Sequence, residues 1–99
     1  MNVFETDAAK RLYDVILSLK NHDECKNFFE DICTIKEIQD LSQRLDVALL
    51  LDEGKNYQDI SKNAKVSTAT ISRVSRCLNY GEGGYRMAIE RLKEKSKNE

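Results

Sequence analysis

The sequence lacks proline and tryptophan and contains a single histidine, and these absences exclude several classes of protein. Because proline interrupts helices, its absence favours a helical protein. A composition of 40% apolar and 33% charged residues is typical of a soluble helical protein. One histidine, His22, is too few for a histidine-based metal site. No apolar run approaches the roughly 18 residues that span a bilayer, so we expect no membrane partner.

The three cysteines, Cys25, Cys33 and Cys77, are odd in number and form no C-x-x-C pair. We therefore interpret them as reduced, partly buried thiols and predict no metal or redox site. The first residues include Glu5 and Asp7 and lack the basic and then apolar pattern of a secretion signal. We expect a cytoplasmic protein.

The net charge of −1 hides an uneven distribution along the chain. Residues 1–54 contain six basic and twelve acidic side chains, which gives −6. Residues 55–80 contain five basic side chains and one acid, Asp59, which gives +4. Because a local positive field attracts phosphates while an acidic remainder limits non-specific association, the basic segment is the candidate nucleic-acid site.

Cap residues and apolar spacing predict two helices in the first third of the chain. The first helix runs from about residue 7 to 20 and has Thr6 available as its N-cap. The second is short and begins at Asn21, with Glu24 at the capping-box spacing.

The third predicted helix is the longest. Thr34 and Glu37 have the capping-box spacing at its start, and Gly54 suits a left-handed cap at its end. Its segment "VALLL" is apolar on nearly all sides and therefore needs cover from several directions. This favours a homodimer in which helices of two chains wrap around each other. The alternative is a monomeric bundle whose first helix folds back over the same surface.

The stretch "YQDISKNAKVSTATISRVSR", residues 57–76, has the apolar spacing of a helix-turn-helix. Two short helices that cross steeply have few inward positions, and Ser61 is small enough to let the second helix approach. Asn56 and Ser67 suit the two N-caps. Lys65 occupies the turn position that is most often glycine, so a positive φ is predicted there. The inward residues are Ile60, Ala64, Val66, Ile71 and Val74.

A recognition helix with this sequence has groups that suit the major groove. Small side chains let the backbone approach the bases, hydroxyls can donate or accept, and the Thr68 methyl can contact thymine. Lys55, Gln58 and Lys65 are better placed for phosphates. The alternative is a solvated helix pair in a protein-binding or enzymatic bundle. The predicted DNA-binding residues are Lys55, Gln58, Lys65, Ser67, Thr68, Ala69, Thr70, Ser72, Arg73 and Arg76.

Together these features resemble the Trp repressor superfamily, and most closely its TrpR-related branch, the YerC/YecD family. The resemblance covers roughly residues 8–95 and rests on "TIKEIQDLSQRLDVALLLDEG", "YQDISKNAKVSTATISRVSRCL", a glycine break and a last helix. It implies an all-α fold of six helices, an intertwined homodimer and a bacterial transcriptional regulator, with repression as the expected mode. The implied organisation is one domain over residues 1–99, with a helix-turn-helix at about 57–78 and dimerisation helices at about 7–53 and 85–95.

The resemblance also points to a small-molecule corepressor, because Trp repressors bind tryptophan between the third helix and the recognition helix. The matching arginines are Arg44 and Arg73, and the matching threonine, which the partner chain contributes, is Thr34. Where the family has a glycine and a serine, this sequence has Val74 and Cys77. A branched side chain would intrude on an indole and the serine hydroxyl is lost, so tryptophan itself is not expected. No other cofactor is predicted.

Two other function classes stay open. Arg44 and Arg73 would suit a dicarboxylate substrate, as in small all-α dimeric enzymes of the chorismate mutase type. The sequence offers no convincing general base or nucleophile, so we predict no catalytic residue and no enzyme. A simpler role for Arg44 is an ion pair with Asp40 on the same helix face. The other class is a protein-interaction module that has lost DNA binding, and the +4 segment argues against it.

Overall fold

The structure, a computed structural model, describes residues 2–98, which form six α-helices and no strand. The all-α prediction is therefore confirmed. The ends of the predicted domain, Met1 and Glu99, lie outside the described residues, and the single-domain assignment stays a prediction. The elements are a 3₁₀ turn (Val3–Glu5), α1 (Asp7–Ser18), α2 (His22–Ile32), α3 (Ile35–Asp52), α4 (Tyr57–Ala64), α5 (Thr68–Tyr80) and α6 (Gly84–Lys97).

The first helix has the predicted cap but ends earlier than predicted. The Thr6 hydroxyl accepts a hydrogen bond from the backbone N–H of Ala9, at 3.1 Å. The expected end at about residue 20 is wrong, because α1 stops at Ser18. The backbone N–H of Lys20 instead donates to the Glu24 carboxylate, at 3.1 Å, which commits Lys20 to the start of α2.

The caps of α2 and α3 confirm the predicted starts. The Asn21 side chain accepts from the backbone N–H of Glu24, at 2.9 Å. At the start of α3 the Thr34 hydroxyl accepts from the backbone N–H of Glu37, at 3.1 Å, and the Glu37 carboxylate accepts from the Thr34 N–H, at 2.9 Å. This reciprocal pair is a complete capping box, which satisfies two backbone donors that the helix itself leaves unpaired.

The end of α3 is a glycine cap, as predicted. Gly54 has φ +83°, a left-handed conformation that glycine adopts without steric cost. The N–H of Gly54 donates to the Leu51 carbonyl at 3.0 Å, and the N–H of Lys55 donates to the Leu50 carbonyl at 3.1 Å. These two bonds form a Schellman motif, which stops the helix and turns the chain towards α4.

The chain divides into two compact units, Met1–Ile38 and Gln39–Glu99. The second unit contains all the buried side chains of the described residues, and they form one apolar core. The side chains of Leu49, Leu50, Leu51, Ala64 and Tyr85 pack against that core. The buried residues are Val47, Ala48, Ile60, Val66, Ile71, Val74, Leu78 and Ile89.

The first unit has no buried side chain among its described residues. Leu17 of α1 is 82% exposed, and Ile35, the first residue of α3, is 77% exposed. The Tyr13 hydroxyl donates to the Phe4 carbonyl at 2.8 Å, which ties the 3₁₀ turn to α1. Among residues 2–98, no helix has both the length and the apolar character needed to cross a membrane.

Candidate nucleic-acid interface

Helices α4 and α5 pack against each other through the inward positions that the sequence predicted. Ile60 and Ile71 are fully buried, and Val66 lies in the core between the two helices. The small residue Ser61 has a second role that the sequence analysis missed. Its hydroxyl donates to the backbone carbonyl of Val66 at 2.7 Å, so it fixes the turn as well as leaving space for α5. The presence of a serine at this position could have indicated this bond, since a hydroxyl can donate to a nearby backbone carbonyl.

The turn between α4 and α5 contains the only non-glycine residue with positive φ among the described residues. Lys65 has φ 55° and ψ 45°, which confirms the prediction. A side chain with a Cβ is strained in this left-handed region. The Lys65 side chain is exposed, so its positive charge lies at the surface directly before the start of α5.

At the start of α5, two hydroxyls bond within the protein, and the small side chains that follow face solvent. The Ser67 hydroxyl accepts from the backbone N–H of Thr70 at 3.2 Å, and the two hydroxyl oxygens lie 3.2 Å apart. Ser67 is therefore the predicted N-cap, and Thr70 is partly buried beside it. Thr68, Ala69 and Ser72 are exposed and face solvent.

Two arginines extend this exposed surface along α5. Arg73 and Arg76 are both exposed and lie three residues apart, so they are neighbours on the helix. Neither guanidinium forms a hydrogen bond or an ion pair within the part of the chain that the structure describes. Their charges are therefore available to a ligand. We call the exposed residues Thr68, Ala69, Ser72, Arg73 and Arg76 the reading face.

The start of α4 presents the predicted phosphate-binding groups. Lys55 and Gln58 are exposed, and the Asn56 side chain caps the helix by accepting from the Asp59 N–H at 2.9 Å. The first backbone N–H groups of a helix have no partner within it and attract anions. Tyr57, which is 39% exposed, is the first residue of α4 and lies beside these groups.

The residues predicted for an effector site lie in different environments. Thr34 is exposed, Arg44 is half-buried on α3, and Arg73 and Cys77 are exposed on α5. Val74 is only 1% exposed and belongs to the core. Its side chain lies in the same core as Ile71 and Leu78. The role of Val74 beside an effector stays a prediction.

Thr34 lines a mostly apolar cavity of about 380 Å³ within the first unit. Arg44 and Arg73 are not among its lining residues, so this cavity is not the predicted effector site of a single chain. That site requires a threonine from a second copy and stays a prediction. The lining residues are Cys25, Lys26, Phe29, Glu30, Cys33, Thr34, Ile35 and Ile38.

All three cysteines are free thiols. Cys25 and Cys33 are partly buried, as expected, whereas Cys77 is exposed on α5. Among residues 2–98, no three histidine, cysteine or acidic side chains come together in a group that would hold a metal ion.

A polar network at the other end of α5 joins three helices. Asp52, the last residue of α3, accepts from Arg86 of α6 at 3.3 Å and from Lys93 of α6. Arg86 also donates to the side-chain oxygen of Asn79 at 3.0 Å, and Asn79 donates to the Ser75 carbonyl at 2.9 Å. We call Asp52, Asn79, Arg86 and Lys93 the interhelix bridge. Sequence reasoning missed it because the partners of Asp52 are 34 and 41 residues away.

The bridge changes the acidity of its carboxylate. The hydrogen bond from Lys93, together with the positive charges of Lys93 and Arg86, lowers the pKa of Asp52 below its ordinary value of 3.8. Burial opposes this effect by raising the pKa of the same group. Asp52 is therefore ionised at neutral pH and holds two cations of α6.

Comparison with known proteins shows which family this chain resembles. The family model described as Trp repressor protein matches residues 7–93. The chain is 57% identical over 84 residues to YerC, an uncharacterised protein of Bacillus subtilis strain 168, across 85% of this chain and 81% of YerC.

Two solved structures have the same fold. A TrpR-like protein from Eubacterium eligens has a TM-score of 0.89 at 53% identity, with coverage of 94% of this chain and 96% of that chain. A protein from Staphylococcus aureus, described as a proposed Trp repressor, has a TM-score of 0.88 at 44% identity, with coverage of 94% and 95%.

Proposed function

This chain belongs to the Trp repressor family, and from that premise we propose that it is a sequence-specific DNA-binding transcriptional regulator, with repression as the expected mode. The observation that carries the proposal is the reading face of α5, where two unpaired arginines adjoin small and hydroxyl side chains. Base edges in the major groove are recognised by such donors and acceptors and by methyl contacts. A cytoplasmic location follows from this role.

The two helices have different tasks in this proposal. The reading face of α5 contacts base edges, with Arg73 and Arg76 as the cationic groups. Lys55 and Gln58 at the start of α4, together with Lys65 in the turn, contact phosphates and fix the orientation of α5. Ser67 and Thr70 support the first turn of α5 through their mutual contact rather than through specific base readout.

We extend the proposal to a homodimer. Ile35, Ile38, Leu41 and Leu45 follow helical spacing along α3, and each is between 37% and 77% exposed. On α1, Leu12, Val15 and Ile16 are also exposed. Rows of exposed apolar side chains on a helix mark an interaction site, and the family supports a second copy as the occupant. Two reading faces about 34 Å apart would then bind a palindromic operator.

A small-molecule corepressor is a further part of the proposal. Arg44 and Arg73 supply cationic groups for a carboxylate, and Thr34 of the partner subunit would complete the site. Tryptophan is not the proposed ligand, because Cys77 replaces a hydroxyl that would hold an amino group. Selecting bound DNA with and without a panel of amino acids identifies any effector.

The proposal is tested by selecting bound duplexes from a random pool and then titrating salt. We expect a palindromic site and an affinity that falls steeply between low and physiological salt. The variant Arg73→Ala/Arg76→Ala should bind this site at least about 10-fold more weakly, because each base-contacting arginine contributes roughly 1–3 kcal/mol.

A matched control is Arg11→Ala/Arg91→Ala, which removes the same charge from exposed positions on α1 and α6. This control should lose much less affinity than the α5 variant. Equal losses in the two variants would mean that only net charge matters. Failure of the wild-type protein to retain any duplex at low salt would favour an interaction module without DNA binding.

A further inference from the structure

The interhelix bridge lies at the end of α5 opposite the first turn of the reading face. Asp52 ends α3, Arg86 and Lys93 lie seven residues apart on one face of α6, and Asn79 lies in the last turn of α5. From this geometry we infer that Asp52, Arg86 and Asn79 are positioning residues for DNA recognition, which hold α5 at the angle that the operator requires. This inference rests on the proposed function.

The bridge differs from an ordinary surface ion pair, which contributes little on its own. The Asp52 side chain is only 16% exposed, so water screens it less than its two cationic partners. Arg86 uses one nitrogen for Asp52 and another for Asn79, and therefore connects α3 to α5 through a single planar group. A planar guanidinium that bonds two partners at once restricts their relative orientation.

The attachment continues into the backbone of α5. Asn79 donates from one nitrogen to the Ser75 carbonyl, at 2.9 Å, and to the Ser75 hydroxyl, at 3.3 Å. Ser75 lies one turn away from Ser72 of the reading face. The bridge therefore holds the last turns of α5, while the Ser61 contact with the Val66 carbonyl fixes the turn before the helix.

A helix that is held at both ends has a defined direction, and loss of one attachment lets it pivot on its core contacts. Val74, a core contact of α5 that is 1% exposed, lies six positions after Thr68, or about 9 Å along the helix from this first base-contacting group. A pivot of about 10° at Val74 would move that group by about 1.5 Å, beyond the roughly 0.5 Å tolerance of a recognition site. Non-specific binding, which depends on charge and tolerates misalignment, is unaffected.

The experiment compares affinity for the selected operator with affinity for a random duplex of equal length, for Asp52→Asn and for Asn79→Ala. Asp52→Asn makes the protein more positive, so a pure charge effect would tighten binding to both duplexes. Loss of positioning instead weakens operator binding by about 10-fold and leaves random-duplex binding within about twofold or tighter. Asn79→Ala, which leaves the net charge unchanged, should give the same fall in the ratio of the two affinities.

The matched control is Glu53→Gln, which removes an exposed acid next to Asp52 that is not part of the bridge. Its operator preference should equal that of the wild type. Circular dichroism checks that each variant folds. If Asp52→Asn does not fold, the result is decided by Asn79→Ala, which replaces an exposed side chain. A wild type without sequence preference overturns the proposed function. If the wild type prefers the operator and both bridge variants keep that preference, only the positioning role is overturned. A purely structural loss would lower the affinities for the operator and for the random duplex together, and would also overturn it.

Discussion

Replacing Lys65 by glycine should stabilise the protein and weaken its binding to DNA. Lys65 has φ 55° and ψ 45°, where a residue with a Cβ is strained by roughly 1–2 kcal/mol. Glycine removes this strain but makes the unfolded chain more flexible, which costs about 0.5–1 kcal/mol. The net gain in the free energy of unfolding is therefore between about 0 and 1.5 kcal/mol, with a midpoint of about 0.75 kcal/mol. For a chain of this size, the midpoint raises the melting temperature by about 3–6 °C.

The same substitution removes an exposed cation from the turn before α5. Each phosphate contact contributes about 0.9 to the slope of log affinity against log salt, so the slope should fall by about one per chain. Thermal melting by circular dichroism measures the first effect, and fluorescence anisotropy with labelled duplex over a salt series measures the second. Lys65→Ala separates the two, because alanine keeps a Cβ in the left-handed region but lacks the charge, so the salt slope should fall without the gain in stability.

Lys95→Gln supplies a charge control, since it removes an exposed cation in the last turn of α6. It should leave the salt slope closer to the wild-type value than Lys65→Gly does. A lower melting temperature for Lys65→Gly would refute the strain argument. An unchanged salt slope would refute the assignment of Lys65 to a phosphate contact.

Two further predictions concern stability. Asp52→Asn should destabilise the protein near pH 7 and progressively less as the pH falls below 3.8: the hydrogen bond from Lys93 lowers the pKa of Asp52 below 3.8, so the folded state favours the ionised form and that advantage shrinks in acid. Urea unfolding over a series of pH values measures this, and a difference between variant and wild type that does not shrink in acid contradicts it. Gly81→Ala should lower the unfolding midpoint more than Gly54→Ala, because an added Cβ at 81 lies 2.3 Å from the Cys77 carbonyl oxygen and one at 54 meets open space. Gly54→Ala carries only the backbone strain of about 1 kcal/mol, and equal losses would contradict the steric argument.

The helix starts could be predicted from the sequence because caps are local. Thr34 and Glu37 bond to each other across three residues, and the Asn56 side chain accepts from the backbone N–H of Asp59 over the same separation. The turn at Lys65 was also predictable, since the inward spacing on both sides of it leaves one position for the left-handed residue. Short-range signals of this kind place the helix-turn-helix without knowledge of the remaining chain.

Features that depend on distant residues were not predictable. Asp52 and Lys93 are 41 residues apart, and nothing in either local sequence selects the other as a partner. The end of α1 was placed too late because the Lys20 N–H bonds to Glu24 of the next helix. Val74 was assigned both to the core and to an effector site that needs a second copy; its burial confirms the first role, and the second stays a prediction.

The distribution of burial has a consequence for synthesis on the ribosome. The described residues of the first unit, Met1–Ile38, have no buried side chain, whereas the core extends from Val47 to Ile89. A chain made from its N-terminus therefore presents the apolar side chains of α1 before its core residues, and that core is complete only when α6 has emerged. Such exposed surface in a nascent chain is what chaperones bind and what promotes aggregation. The charged residues interleaved along α1, among them Lys10, Arg11 and Asp14, keep that segment hydrated during this interval.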